Sequence, residues 1–201
     1  MHPYGMRVKT VHGCLISTKS IQGVVCGRAD LHFAVIDTGD ICNTDFHCTA
    51  VVVSLKDTTT IVGSVYFIPT LSSDITLLEQ LVWRCSSSSV LCGDFNAHRP
   101  RWCSRSQDSR GVEINALIVR DDMPILNDSS PTFVGRGKEQ SAIDLAISTR
   151  DVRLVWSCEA DPWGSDPLPI WVVPEHTRRR QTRAYTVTNW NILRQLISEV
   201  A

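Results

Sequence analysis

Two runs rich in β-branched residues constrain the fold more than any other feature of the chain. They are "HCTAVVVSL" at 47–55 and "TIVGSVYFI" at 60–68, and the polar segment "KDTT" separates them. β-Branched residues favour strands, and a short polar turn between two such runs is typical of a hairpin. We therefore predict two adjacent antiparallel strands.

Amphipathic segments follow these strands. Residues 72–85 begin with serine and aspartate capping candidates, and residues 111–122 and 188–201 repeat apolar side chains at helical spacing. We predict a helix in each segment. The predicted apolar faces are Leu77, Leu78, Leu81 and Val82 in the first, Ile114, Leu117 and Ile118 in the second, and Trp190, Leu193, Ile197 and Val200 in the third.

Shorter apolar runs complete the pattern. "VLCGDF", "PILN", "PTFV", "SAIDLAIS" and "LPIWVV" are predicted to form further strands. Helices interleaved with antiparallel strands suit an α/β fold, in which a two-layered sheet sandwich is flanked by helices. Composition alone does not select this arrangement over other α/β folds.

Composition restricts the class of protein. Hydrophobic residues make up 43% and charged residues 20% of the chain, as in ordinary globular proteins. No apolar run approaches the ~20 residues that span a bilayer, and the first residues lack the apolar core of a secretory signal. The eight cysteines include no CxxC pair, which favours reduced structural thiols over zinc or disulfides. We expect an intracellular protein, nuclear or cytoplasmic, without a membrane partner.

Charge is distributed unevenly along the chain. Residues 175–201 hold five arginines and two glutamates, whereas the remaining residues hold 15 basic and 19 acidic side chains. The acidic body is therefore not a general polyanion-binding surface. The basic run "TRRRQTR", with Arg178, Arg179 and Arg180, has three interpretations: a phosphate contact, a nuclear signal or a solvated linker.

The segment "VLCGDFNAHRPRW" at 90–102 carries the strongest chemical signal. Asp94 and Asn96 follow an apolar strand and are two residues apart, so they point the same way if the backbone stays extended. A carboxylate and an amide presented together can bind a hard cation and a phosphoryl oxygen. A turn in which both side chains bond the backbone explains the same spacing.

The order of the motifs adds a resemblance to a known family. "SVYFIP", "GDFNAH", "LNDSSPTF", "SAIDLAIS" and "WGSDPLPI" occur in that order over roughly residues 10–174. This resembles the endonuclease/exonuclease/phosphatase superfamily, and more narrowly the apurinic-type endonuclease domain of LINE-type (non-LTR) retrotransposons. The resemblance implies a four-layered α/β sandwich at 1–174 without its opening strand. It also implies that 175–201 is a basic linker and helix leading toward a reverse-transcriptase domain.

The resemblance implies a role for each site residue. It implies a DNA phosphodiester hydrolase that uses Mg²⁺ or Mn²⁺ and no small-molecule cofactor. Asp94 would orient or deprotonate the attacking water, Asn96 would hold the scissile phosphate, and Tyr66 would donate a hydrogen bond to it. Asp166 would lie at the metal side, and Asp144 would orient a histidine that follows Asp166.

Simpler interpretations remain open for several of these residues. Tyr66 on an apolar strand is equally compatible with a core or edge aromatic side chain. Asp144 within "AIDLAI" is costly to bury without a partner, which favours a functional or hydrogen-bonded role. Arg99 and Arg101 would contact the DNA backbone or simply be solvated.

The sequence departs from the family pattern at two points. Pro167 occupies the position of the catalytic histidine, so Asp144 has no side chain to orient. The first glutamate is Glu79, inside a predicted helix, whereas the family binds its metal through a glutamate near the N-terminus. We expect a truncated and impaired or inactive copy of a retrotransposon nicking endonuclease. The alternatives are a non-enzymatic nucleic-acid-binding remnant and, less favoured, a phosphoesterase acting on a lipid or inositol phosphate.

Overall fold

A five-stranded mixed sheet with strand order β1-β2-β3-β4-β7 lies at the centre of the protein. The structure is a computed structural model that describes residues 32–55, 58–69, 72–134, 140–158, 168 and 170–175. The strands are β1 His32–Ile36, β2 Phe46–Leu55, β3 Thr58–Phe67, β4 Ser89–Asp94, β5 Phe133–Val134, β6 Gln140–Ser141, β7 Asp144–Ser148, β8 Leu154–Cys158 and β9 Ile170–Pro174. The helices are α1 Thr76–Arg84 and α2 Ser109–Arg120.

The predicted hairpin forms the middle of this sheet. β2 and β3 pair antiparallel along their whole length, from Phe46 opposite Phe67 to Leu55 opposite Thr58. α1 connects β3 to β4, which therefore runs parallel to β3, and β7 returns antiparallel to β4. Two further pairs, β5–β6 and β8–β9, form separate two-stranded sheets. The prediction of an α/β fold is confirmed.

Both helices pack on the same face of the sheet. Their buried side chains join one hydrophobic core with residues of β2, β3, β4 and β7. The members from α1 are Leu78, Leu81 and Val82, and those from α2 are Ile114, Leu117 and Ile118. α2 begins where the side chain of Asp108 accepts a hydrogen bond from the N–H of Gly111 at 2.6 Å, a typical N-terminal cap. The predicted helical faces of these two segments are confirmed.

The structure corrects two of the strand predictions. "SAIDLAIS" does not form one strand, because it divides between β6 and β7. "PILN" forms a single bridge, between Ile125 and Ile147. The reason is that the side chain of Asn127 takes over the pairing, donating to the carbonyl of Asp144 and accepting from the N–H of Ala146, each at 2.9 Å. Strands β1 and β8 were not predicted.

Other predictions cannot be compared with the structure. The predicted helix at 188–201 and the basic run lie outside the described residues. No helix within the described residues is long and apolar enough to cross a membrane.

Gly93 allows β3 and β4 to approach each other closely. Its φ is +151°, and a Cβ atom at this position would overlap the carbonyl oxygen of Val65 on β3. Residues with a side chain rarely adopt this backbone conformation. Both the φ angle and the neighbouring strand therefore require glycine at this position. Gly93 also directly precedes Asp94 and thus fixes how the end of β4 is presented.

We expect Gly93→Ala to destabilise the protein by at least about 3 kcal/mol, because the new methyl group forces β3 and β4 apart. Urea unfolding followed by circular dichroism measures the loss. Gly39→Ala is the matched control, since its Cβ would meet the Asp37 carboxylate at an ordinary 3.4 Å. Equal losses in the two variants would contradict the proposed crowding at Gly93.

Candidate active site

Four side chains form a row across one end of the central sheet. His47 on β2 lies opposite Tyr66 on β3, Tyr66 lies beside Asp94 on β4, and Asp94 lies opposite Asp144 on β7. Directly paired residues of neighbouring strands project to the same face. The row therefore lies on the face opposite the helices. The structure brings together three residues predicted for the site, Tyr66, Asp94 and Asp144.

The fourth predicted residue, Asn96, lies in the turn after β4. Its backbone is left-handed, with φ of 42°, which asparagine tolerates better than most residues. Its N–H donates to Oδ1 of Asp94 at 2.9 Å, and its side-chain Nδ2 donates to the carbonyl of Phe67 at 2.7 Å. The turn interpretation is thus correct, and the same turn presents Asp94 and Asn96 together.

A cleft of about 360 Å³ opens at this turn. Its lining comes from the row, the turn and the hairpin of β5 and β6, and consists of Tyr66, Pro69, Asp94, Asn96, His98, Phe133, Ser141 and Ile143. Tyr66 is therefore at the cleft and half-buried, rather than a core aromatic. Asp144 is not part of the lining and is 7% exposed.

The carboxyl group of Asp144 is buried without a full set of partners. Its backbone is held by the side chains of Thr132 and Asn127, which bond its N–H at 3.2 Å and its carbonyl at 2.9 Å. Its Oδ2 atom has no hydrogen-bond partner among the described residues. Burial, helped by the negative charge of Asp94, raises the pKa of Asp144 to about 6. Burial also raises the pKa of Asp94.

Arg110 of α2 holds the backbone around the cleft. The side chain is buried, and its guanidinium donates to carbonyls of two separate segments, the connection from β3 to α1 and the turn after β4. The acceptors are Ser72 at 3.0 and 3.2 Å, Ile68 at 3.2 Å, Asn96 at 3.0 Å and Phe95 at 3.5 Å. The guanidinium carbon also lies 4.9 Å from the centre of the Phe67 ring, which is a cation–π distance.

Sequence reasoning did not find Arg110 or His47. Arginine at a helix start is ordinarily solvated, so "SRG" gave no sign that this side chain turns inward. His47 sits in a β-branched run, and its place beside Tyr66 follows from strand register alone.

The predicted DNA-contacting arginines lie on a well-held loop. Trp102 is fully buried and its indole N–H donates to the carbonyl of Ala97 at 3.1 Å. Arg101 donates to the side chain of Asn115 at 2.9 Å, and Arg99 is half-exposed beside His98 of the cleft. Three further predicted residues, Arg178, Arg179 and Arg180, lie outside the described residues, as does Asp166.

The oxygen donors of this site suit a hard divalent cation. Mg²⁺ takes one or two carboxylates and completes its shell with water and phosphate oxygens. Asp94 offers one carboxylate at the cleft, and Asp144 lies opposite it on β7 but outside the cleft lining. Within the described part of the chain, no group of three or more His, Cys, Asp and Glu side chains could hold a metal ion. Glu79 is paired with Arg120 on the helical surface. The donor set fits a cation shared with phosphate, rather than a closed protein cage.

Known structures share this fold. The chain is similar to the endonuclease domain of TRAS1, a telomere-specific non-LTR retrotransposon, with a TM-score of 0.61 and 21% identity, covering 72% of this chain and 68% of that chain. A conserved protein of unknown function from Enterococcus faecalis V583 matches with a TM-score of 0.38 and 12% identity, covering 73% and 66% of the respective chains. That second likeness is too weak to carry an argument. No curated protein matches the sequence.

The α/β fold of this chain, with its polar row at one end of the sheet, is therefore the fold of the TRAS1 endonuclease domain. The profile of the family described as endonuclease-reverse transcriptase matches residues 60–171, more than half of the chain. The chain belongs to the endonuclease-reverse transcriptase family. This confirms the family predicted from the order of the motifs.

We expect Arg110→Met to destabilise the protein by about 3 kcal/mol, because carbonyls of two segments lose a charged donor inside the protein. Urea unfolding measures the change. Arg101→Met is the matched control and should cost less than about 1 kcal/mol, since Arg101 makes an exposed hydrogen bond. A loss at Arg110 no larger than at Arg101 would contradict this role.

Asp144 should make stability depend on pH. With a folded pKa of about 6, the folded protein binds more protons than the unfolded chain between about pH 4 and pH 6. The stabilising contribution is therefore full below about pH 4 and is lost as the pH rises through 6. The free energy of unfolding of Asp144→Asn, measured relative to wild type, should rise by about 3 kcal/mol between pH 4 and pH 7. Urea unfolding in EDTA measures this, and a constant difference across the range would contradict it.

Proposed function

We propose that this domain binds DNA at the cleft as a divalent-metal-dependent phosphodiester hydrolase, a nicking endonuclease whose turnover is strongly reduced in this chain. The observation that carries the proposal is the convergence of Tyr66, Asp94 and Asn96 on one cleft. They come from two segments of the chain, the end of β3 and the end of β4 with its turn, and each offers a group suited to phosphoryl chemistry. Membership in the endonuclease-reverse transcriptase family supports the same reaction class.

Each cleft residue has a distinct task in this proposal. Asp94 takes the proton of the attacking water, and its raised pKa makes it a stronger base than an ordinary aspartate. Asn96 and Tyr66 donate hydrogen bonds to the non-bridging oxygens of the phosphate, where negative charge grows as the water attacks. The amide of Asn96 is held ready because its backbone is fixed by Asp94 and Arg110.

A divalent cation would supply positive charge to the phosphate when bound. We propose Mg²⁺ or Mn²⁺, with Asp166 at the metal side and the carboxylates of Asp94 and Asp144 within the same polar row. Both cations prefer the oxygen ligands that these residues offer.

Reduced turnover is proposed from the residue that follows Asp166. Pro167 has neither an imidazole nor a backbone N–H, so it cannot stabilise charge on the phosphate. The unpartnered Oδ2 of Asp144 is compatible with this loss, because the family resemblance makes a histidine at the position of Pro167 the hydrogen-bond partner of that carboxyl group. Loss of one such group costs about 10²–10⁴ in rate.

We expect the chain to retain affinity for DNA although its turnover is reduced. Arg99 and Arg101 lie on the loop fixed by Trp102, which follows the cleft residue His98, and they are proposed to contact phosphates beside the scissile one. The run of Arg178, Arg179 and Arg180 would add non-specific affinity. The proposed partners are DNA and a reverse-transcriptase domain of the parent polyprotein, inside the cell in the nucleus or cytoplasm.

Conversion of supercoiled plasmid to open circles in Mg²⁺ tests the activity. We expect very slow nicking by the wild-type chain and at least about tenfold faster nicking by Pro167→His, because the new imidazole can stabilise the charged phosphate. Adding Asp94→Asn to that variant should return nicking to the background. EDTA should abolish it.

The matched control for Asp94→Asn is Asp151→Asn, which makes the same substitution in the turn after β7. Asp108→Asn is unsuitable because Asp108 caps α2. Nicking by Pro167→His that equals wild type, together with full activity after Asp94→Asn, would overturn the assignment of this cleft.

A further inference from the structure

His47 extends the polar row one strand beyond the cleft. It is half-buried, and its ring centre lies 6.3 Å from that of Tyr66, with 40° between the ring planes. Asp94 is two strand spacings away from it, about 10 Å. The cleft lining includes Tyr66 but not His47. An extended ligand that leaves the cleft over Tyr66 therefore meets His47 next.

The two ends of the row differ in charge and hydrogen-bonding character. One end holds the carboxyl groups of Asp144 and Asp94, and the other holds Tyr66 and His47, both hydrogen-bond donors. A phosphodiester chain is repelled by carboxylates and attracted by donors. Asp45, the carboxylate closest to His47 in sequence, lines a different, small pocket with Phe46, Phe67 and Arg110 on the helix side of the sheet. It is therefore not placed to compete for the imidazole.

We propose that His47 binds the phosphate of a nucleotide next to the scissile one, and so forms a second phosphate subsite on a single DNA strand. Neighbouring phosphates of one DNA strand are joined by the six covalent bonds of one sugar-phosphate unit, which can span the single strand spacing of about 5 Å from Tyr66 to His47. The phosphate next to the one at Tyr66 therefore reaches His47. This inference rests on the proposed function, because it takes the phosphate at Asn96 and Tyr66 as the first subsite. A purely structural role, ring packing against Tyr66, is the competing explanation.

Short thymidine oligonucleotides separate the two subsites. The dinucleotide contains one phosphodiester and the trinucleotide contains two, so the trinucleotide alone can fill both subsites at once. Binding of each to the full chain is followed in Mg²⁺ by nuclear magnetic resonance. His47→Phe keeps a ring against Tyr66 and removes the donors. His32→Phe, an exposed histidine on β1 of the same sheet, is the matched control.

We expect the trinucleotide to bind wild type and His32→Phe at least about tenfold more tightly than the dinucleotide does, as one hydrogen bond to a charged group predicts. His47→Phe should bind the dinucleotide with wild-type affinity and lose that gain. In wild type, the trinucleotide and not the dinucleotide should shift the ring resonances of His47, which tests the subsite without any variant.

An undiminished gain in His47→Phe, or His47 resonances that do not respond to the trinucleotide, would overturn the second subsite and leave the proposed function standing. A dinucleotide that leaves the resonances of Asn96 and Tyr66 unchanged in every variant would overturn the proposed function, and this inference with it.

Discussion

The buried guanidinium of Arg110 is the interaction on which the cleft depends. One side chain donates to carbonyls of two segments that are far apart in sequence: the connection from β3 to α1, at Ile68 and Ser72, and the turn after β4, at Asn96. The acceptors in these hydrogen bonds are backbone carbonyl oxygens. Since the guanidinium comes from the first turn of α2, the docking of that helix sets the geometry of the cleft.

The site combines a well-defined backbone at the end of β4 with a buried carboxyl group, one oxygen of which has no hydrogen-bond partner within the described residues. Gly93 and Asn96 each adopt a backbone conformation with positive φ, so the end of β4 is fixed in one presentation. Asp144 is equally fixed, yet one of its buried oxygens lacks a partner in the described part of the chain. Buried polar atoms are nearly always paired in folded proteins. The backbone at the end of β4 is therefore well defined, whereas the hydrogen bonding of the neighbouring Asp144 carboxyl group is incomplete among the described residues.

Local pattern predicted what local interactions decide. β2, β3 and the buried face of α2 follow from β-branched runs and helical spacing, and the motif around Asp94 correctly indicated a shared site with Tyr66. The failures have a common cause. The bridge at Ile125, the inward turn of Arg110 and the place of His47 depend on partners more than ten residues away. Pairing register and side-chain direction are tertiary properties, so spacing along the chain does not contain them.

Asn127 has a consequence for how the folded protein behaves among its own copies. Its amide and the adjacent backbone of Pro124 and Leu126 bond the N–H and carbonyl groups along the outer side of β7. An open strand edge invites pairing with another chain, and cross-β aggregation can start there. A side chain that imitates a peptide group closes this edge without adding a strand. The segment that holds Asp144 in place thereby also blocks the edge of β7 from pairing with a strand of another copy.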